Sequence, residues 1–279
     1  MKKWTGVLVW LFCGLLVYSL SVSAQTISFG DSSNYWPGWK NNTPDDNKDT
    51  IGIPDLLGGT VVIEDGYLKS ITFKYTGTQD WADNHWDILS PGDLFINRVS
   101  SPTDEQWDYL VDLFNGTPRS DGSYDRTPGP DNEDPSAGTY SVYKISESLI
   151  GSNYITSGVD NSGSWAGYGI RDKHPVAYSG NTEWLSSVSF DGWKKLTERD
   201  EPLYSTFDFT NGGNQDGLFI GCNDLILGWA MNCANDVIYE KIPNPVPEPG
   251  TILLVGTGLL GLALGSRKKR TNSRRKYQL

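Results

Sequence analysis

The sequence predicts an all-β protein, specifically an antiparallel β-sandwich of the jelly-roll kind, with an N-terminal signal peptide and a C-terminal transmembrane helix on either side of it. Three observations lead to this prediction. Short runs alternate apolar and polar residues, turn-forming Gly, Asn, Asp, Ser and Pro fill the gaps between them, and no long amphipathic helix stands out. No internal repeat indicates a propeller or a β-helix.

The first element of the chain is an export signal. Lys2 and Lys3 precede an uncharged apolar run at residues 4–20, and small side chains then lead to Ala24. This order of charge, apolar run and small residues is typical of a cleaved signal peptide. We expect cleavage after Ala24, with an uncleaved membrane helix as the alternative.

Several strands of the body are visible as short β-rich runs. In YLKSITFKYTG, the apolar residues Ile71, Phe73 and Tyr75 alternate with polar ones, as in a strand with one buried face. Three further runs predict strands: GDLFIN, TYSVYKI and DVIYEKI. Residues 119–138 are polar and rich in Gly, Pro and Asp, so they predict a long surface loop.

One segment, TDEQWDYLVDLF, fits two kinds of structure. Its apolar residues have helical spacing behind a capping box at Thr103 and Gln106, but they also alternate as a strand through Trp107, Tyr109 and Val111. We favour a strand because hairpins dominate the surrounding sequence.

The charge of the body excludes one class of partner. All 34 acidic residues lie between Asp31 and Glu248, where only 14 basic residues accompany them, so the exported part carries a net charge of about −20. Nucleic acid is not an expected partner, because phosphate contacts need positive charge. Such a surface suits divalent cations, although a merely solvated acidic face is the simpler interpretation.

A calcium site is one candidate use of these acids. Asp45, Asn47 and Asp49 occupy alternating positions, as in a loop of oxygen ligands, but Thr50 stands where an EF-hand needs glycine. We therefore exclude an EF-hand and keep an irregular calcium site that uses these residues or Asp31. A solvated turn is the alternative, and no other cofactor is predicted.

Two cysteines remain after removal of the signal peptide, Cys222 and Cys233. Their spacing does not fit a CxxC motif, and an even number in an oxidising compartment favours a disulfide. We predict that this bond joins the last two strands, with a metal site as the alternative.

Aromatic residues offer a candidate ligand site. Trp36 and Trp39 lie in the polar, turn-rich stretch NYWPGWKNN, where an exposed ring could stack on a sugar. Core packing is the alternative for both residues.

Catalytic signals are weak. The run DWADNHWD (residues 80–87) places carboxylates beside tryptophans, as in a glycosidase, but such a cluster also arises in an acidic loop. His174 lies in RDKHPV, beside Asp172, and could act as a base. We interpret it as a structural, hydrogen-bonded histidine. We predict no catalytic residue, and the protein is expected not to be an enzyme. A secreted carbohydrate-active enzyme remains the rival.

The C-terminal segment combines three features. Prolines at the end of the body precede an uncharged run of 15 residues (251–265), which a basic cluster follows. A helix of this length reaches only ~22 Å of a hydrocarbon layer of ~30 Å, but flanking lysines and arginines can snorkel to the cytoplasmic side. A buried core helix and a GPI signal are the alternatives, and the basic tail argues against both.

These features resemble the PEP-CTERM sorting signal of Gram-negative bacteria. The resemblance implies export, anchoring in the inner membrane, cleavage by exosortase, and release to the cell surface or to an exopolysaccharide matrix or biofilm. The partners implied are the Sec machinery, signal peptidase, exosortase and an extracellular polysaccharide. The residues that match the signal are Pro247, Glu248, Pro249, Arg267, Lys268, Lys269 and Arg270.

The predicted organisation has five parts: signal peptide 1–24, β-sandwich 25–240, Pro-rich linker 241–250, transmembrane helix 251–266 and basic tail 267–279. The body also resembles uncharacterised PEP-CTERM proteins in four segments, and this resemblance implies a single domain without an assigned activity. The segments are WDILSPGDLFINR, WDYLV, YGIRDKHPVAY and GWAMNCANDVI.

Overall fold

A computed structural model of the chain describes residues 24–39, 47–50, 54–76, 91–101, 103–113, 117–118, 124–125, 137–157, 171, 173–193, 202–211, 214–221, 223–231, 234–244, 256 and 258. Every element with assigned bounds within these ranges is a β-strand. The all-β prediction is therefore confirmed.

The strands are short, as the sequence pattern predicts. They are β1 Gln25–Phe29, β2 Asp55–Glu64, β3 Tyr67–Thr76, β4 Leu94–Val99, β5 Gln106–Asp112, β6 Thr117–Pro118, β7 Tyr124–Asp125, β8 Gly138–Ser148, β9 Tyr154–Thr156, β10 Pro175–Tyr178, β11 Glu183–Phe190, β12 Leu203–Asp208, β13 Leu218–Phe219, β14 Asp224–Ala230 and β15 Val237–Ile242.

The predicted runs all become strands. YLKSITFKYTG contains β3, GDLFIN contributes to β4, TYSVYKI lies in β8, and DVIYEKI contains all of β15. The ambiguous segment TDEQWDYLVDLF contains β5, Gln106–Asp112, so the strand interpretation is confirmed. Within the predicted loop at residues 119–138, the structure describes Tyr124–Asp125, which pairs with Thr117–Pro118.

Eleven strands form one antiparallel sheet. Ten of them follow the order β1-β2-β3-β12-β11-β8-β5-β4-β14-β15. The eleventh, β13, pairs with the start of β3, whereas β12 pairs with the rest of that strand. A sandwich would divide these strands between two sheets, whereas here they form a single curled one. Irregular registers in the β2–β3, β5–β8 and β8–β11 pairs increase the twist and the bending of the strands, which explains the curl.

The two ends of this sheet approach each other. The first strand, β1, lies next to the last strand, β15. The backbone N–H and the hydroxyl of Ser32 both donate hydrogen bonds to Oε1 of Glu240, at 2.7 and 2.6 Å. The sheet is therefore nearly closed, and we call the junction of β1 and β15 the seam.

The main core lies on the face that all the long strands share. Ile71, Phe73 and Tyr75 of β3 are fully buried there, as their alternation predicts. Phe73 stacks on Trp229 of β14, with ring centroids 4.2 Å apart. Strands from both halves of the sheet thus pack on one another through this face.

A second core covers the opposite face of β4, β5, β14 and β15. It is closed by the β9–β10 hairpin and by the segment that follows β1, which contributes Trp36. β4 and β14 are consequently buried on both faces over most of their length, and β14 has no exposed position. Such strands read as continuous apolar runs rather than alternating ones.

The chain divides into two compact units, one ending at Asn244 and one comprising Pro245–Leu279. The last strand of the first unit ends at Ile242, two residues beyond the expected boundary of the body at residue 240. In the second unit the structure describes Gly256 and Gly258, both helical. The rest of the expected transmembrane helix 251–266, the tail 267–279 and residues 1–23 of the signal peptide lie outside the described residues.

Among the residues that the structure describes, no helix has the length and apolar character needed to cross a membrane.

Candidate functional site

Three aspartates converge at the seam. Asp31, Asp49 and Asp236 each direct a carboxylate oxygen into a group whose members lie within 4.8 Å of one another. Asp31 follows β1 closely, and Asp236 immediately precedes β15. The nearly closed sheet therefore brings together side chains that are 205 residues apart in sequence.

Backbone amides hold Asp236 in place. Its side chain is fully buried, and its Oδ2 accepts a hydrogen bond from Leu56 N at 2.6 Å. Its Oδ1 accepts a second hydrogen bond from Val237 N at 2.8 Å. These two bonds fix the carboxylate at the start of β15 and join it to β2.

Arg171 connects the loops that carry the other groups. Its guanidinium is buried, and Nη1 donates to the carbonyl of Asn235 at 3.0 Å. Its Nη2 donates to the carbonyls of Lys48 and Asp49. One buried side chain thus ties the segment containing Asp49 to the residue next to Asp236, so Arg171 positions two of the three carboxylates.

The electrostatics of the trio are unfavourable for three negative charges. Burial is the main cause that raises the pKa of Asp31, and the neighbouring charges of Asp236 and Asp49 raise it further. Burial also raises the pKa of Asp236, although the amides of Leu56 and Val237 oppose that shift. The group therefore favours either bound protons or a positively charged partner.

The donors and their exposure indicate which partner fits. All three ligand atoms are carboxylate oxygens, which hard cations prefer over sulfur or nitrogen ligands. Asp49 is exposed, Asp31 is half-buried and Asp236 is buried, so the group is open to solvent on the side of Asp49. Small ions can reach it from there.

The same geometry does not fit a glycosidase. Paired catalytic carboxyl groups lie about 5 to 9.5 Å apart with a sugar between them. Here the oxygens lie within 4.8 Å, and Asp236 has no exposed surface. A sugar ring has no room between these groups. The run DWADNHWD lies outside the described residues.

The structure brings two of the candidate calcium ligands together, and calcium binding itself stays a prediction. The structure brings Asp49 together with Asp31, which were both candidates, but Asn47 is exposed and is not one of the three converging residues. Asp45 lies outside the described residues. Asp236 and Arg171 were missed as site residues, although YGIRDKHPVAY and GWAMNCANDVI, two segments that carry the resemblance of the body, contain them.

The expectation of an exposed Trp36 is wrong. Its ring is buried against Phe95 and Trp107, with centroid distances of 5.0 and 5.2 Å. Gly228 beneath these rings leaves the space that they fill, because a Cβ there would lie 2.9 Å from Trp36 Cζ2. Trp39 is half-buried, and its Nε1 donates to the carbonyl of Leu149 at 2.8 Å.

His174 has the predicted structural role. It is buried, its Nε2 accepts a hydrogen bond from Trp36 N at 3.1 Å, and its Nδ1 lies 2.9 Å from the carbonyl of Pro175. Nδ1 must therefore carry the proton, since Nε2 acts as an acceptor. The imidazole anchors the segment after β1 to the β9–β10 hairpin.

Cys222 and Cys233 lie outside the described residues, so their disulfide stays a prediction. The described residues beside them, Asn223 and Ala234, lie on opposite sides of β14 in sequence. The seven sorting-signal residues, from Pro247 to Arg270, also lie outside the described part of the chain.

Comparison with known proteins places the chain's C-terminus in a recognised class. Residues 245–270 match the PEP-CTERM protein-sorting motif. The motif confirms the sorting resemblance and implies an exported protein that is processed at the membrane through its C-terminus, with exosortase as the processing partner. The match covers the motif, and the resemblance of the body to other PEP-CTERM proteins stays a prediction.

No curated protein and no solved structure matches the chain.

Proposed function

We propose that the β-sheet body is a non-enzymatic component of the cell surface or of an extracellular polysaccharide matrix, which it reaches after exosortase processing. The observation that carries this proposal is the sorting motif at residues 245–270, because the motif follows the folded body in the chain and directs where the protein is sent. The acidic body supports the proposal, since a strong net charge keeps a surface protein soluble and hydrated.

A candidate contact for polysaccharide lies on β11 rather than at Trp36. Trp184 is the most exposed large apolar side chain of the described residues, with 63% of its surface accessible, and Leu185 beside it is 42% exposed. The strand partner of Trp184 on β8 is Tyr143. Exposed tryptophan rings can stack on sugar faces, so this surface is the one we propose for glycan binding.

The test is co-sedimentation of the exported protein with the polysaccharide of its own host. Trp184→Ala should raise the apparent dissociation constant about fivefold, because the loss of one aromatic contact is worth about 1 kcal/mol. The matched control is Tyr204→Ala, which removes another exposed ring from a different strand, β12. Equal retention of the wild type and both variants would count against glycan binding through β11.

The same assay examines the rival function. A secreted carbohydrate-active enzyme would release new reducing ends from the polysaccharide during incubation. We expect no release, because the carboxylates that converge in the described residues are too close together to flank a sugar. If the purified protein still releases reducing ends, the proposed binding role is wrong and the protein is an enzyme.

A further inference from the structure

We propose that Asp31, Asp49 and Asp236 bind a calcium ion that links the first and the last strands of the sheet. The site joins Asp31 in the segment that follows β1, Asp49 in the segment at residues 47–50, and Asp236 directly before β15. It goes beyond the sorting function, which needs no metal.

The spacing of the ligands fits this ion. Calcium binds oxygens at about 2.3 to 2.6 Å, so two oxygens on one ion lie at most about 5 Å apart. The three carboxylate oxygens lie within 4.8 Å of one another. Each carboxylate has a second oxygen, and water can complete the six to eight ligands that calcium takes. The exposed side at Asp49 provides both the water and the path of entry.

A second observation points to a missing positive partner. Both carboxylate oxygens of Asp31 are buried and accept no hydrogen bond from a donor among the described residues, and the polar group beside them is the carboxyl group of Asp236. A buried carboxylate without a donor is costly, and folded proteins pair such groups with hydrogen bonds, charges or metals. One of these oxygens lies within 4.8 Å of an oxygen of Asp236 and of Asp49, where a divalent cation would be the common partner of all three carboxylates.

The surroundings are built to hold the trio together without the ion. Arg171 fixes the backbone at Asp49 and at Asn235, and two amides fix Asp236. On the other side of the seam, Ser32 next to Asp31 binds Glu240 of β15. These contacts preorganise the ligands, so binding of the cation costs little further ordering of the chain.

The site also fits the compartment. The protein is exported, and extracellular calcium modules commonly bind with dissociation constants of about 0.1 to 1 mM. The ion would neutralise repulsion at the seam and tie β1 to β15. The closed sheet would then be most stable where calcium is abundant, outside the cell.

The experiment follows thermal unfolding of the protein as producing cells release it, after treatment with EGTA. Calcium at about a hundred times the dissociation constant should raise Tm by roughly 5 to 10 °C. In Asp31→Asn this rise should disappear, and without calcium the variant should melt at a higher temperature than the wild type, because asparagine needs neither a buried charge nor a bound proton at this position. Asp49→Asn serves as a second variant at the exposed side.

The control is Asp65→Asn, which makes the same change of charge at an exposed turn with positive φ, a conformation that asparagine tolerates well. It should leave the calcium-induced rise unchanged. An unchanged rise in Asp31→Asn would place the ion elsewhere and overturn the proposal, as would no rise in the wild type at 10 mM calcium, about ten times the weakest expected constant. An equal rise with magnesium would overturn the assignment to calcium.

Discussion

At the scale of single residues, Gly228 and Trp36 explain why an aromatic residue in a polar stretch is buried. Trp36 occurs among Asn, Tyr and Pro residues, so nothing in its own neighbourhood indicates a core position. Its partners come from strands far along the chain, and Gly228 of β14 provides the space between them. The burial of Trp36 is a tertiary effect, which is why the sequence alone left both an exposed ring and core packing open.

Substitution of Gly228 tests this packing directly. A Cβ at Gly228 would lie 2.6 Å from Trp107 Cη2, so Gly228→Ala should destabilise the fold by about 1 to 3 kcal/mol, the usual effect of overpacking. Chemical denaturation of the exported protein measures this change. Gly30→Ala is the matched control, because a Cβ there meets nothing within 4 Å. Equal stability of both variants would show that the second core is looser than described.

The protonation of His174 gives a pH-dependent prediction. Burial is the main cause that lowers the pKa of His174 to about 3, and the charge of Arg171 lowers it further. The folded protein therefore keeps this imidazole neutral, whereas the unfolded chain protonates it near pH 6.5. Its contribution to stability is present above pH 6.5 and is lost as the pH falls from there toward about 3.

His174→Gln should remove this pH dependence, because glutamine does not titrate. The stability difference between the wild type and the variant should shrink by up to ~1.4 kcal/mol for each pH unit below about 6. Urea denaturation of both proteins at pH 7, 5 and 4 measures it. Taking the difference cancels the opposite pH effect of the buried aspartates. A difference that stays constant over this range would mean that His174 is protonated in the folded protein.

At the scale of elements, alternation in the sequence predicts strands but not how the sheet closes. β3 was predictable because Ile71, Phe73 and Tyr75 alternate with polar residues, and its buried face follows from that pattern. The curl of the sheet depends on register shifts such as the one between Val62 and Ile63. Such shifts depend on cross-strand packing, which a single sequence does not reveal, and so a sandwich was expected where one curled sheet is found.

The residues of the candidate site were likewise predictable only in part. Asp49 was predictable because it follows other oxygen-bearing residues at alternating positions, and Asp31 belonged to the same hypothesis. Asp236 was not, since only the meeting of β1 and β15 brings it to Asp31. Arg171 was also hidden, because its role consists of hydrogen bonds to backbone carbonyls of two distant loops.

At the scale of the whole molecule, the sorting motif and the folded body occupy different parts of the chain. The sorting motif begins at residue 245, and the compact body ends at Asn244. The grouping of all acids before the apolar run and of seven bases after it made this division predictable from the sequence. The role of the body was less predictable, since binding surfaces such as that at Trp184 arise from the arrangement of strands.

The central claim is that exosortase processes this protein near Pro247, Glu248 and Pro249. Intact mass spectrometry of the exported protein, from its own host with and without exosortase, tests it most directly. We predict loss of residues 1–24 in both strains, and loss of the apolar run and basic tail only where exosortase is present. A protein that retains Arg267 and the rest of its tail in both strains would contradict this claim.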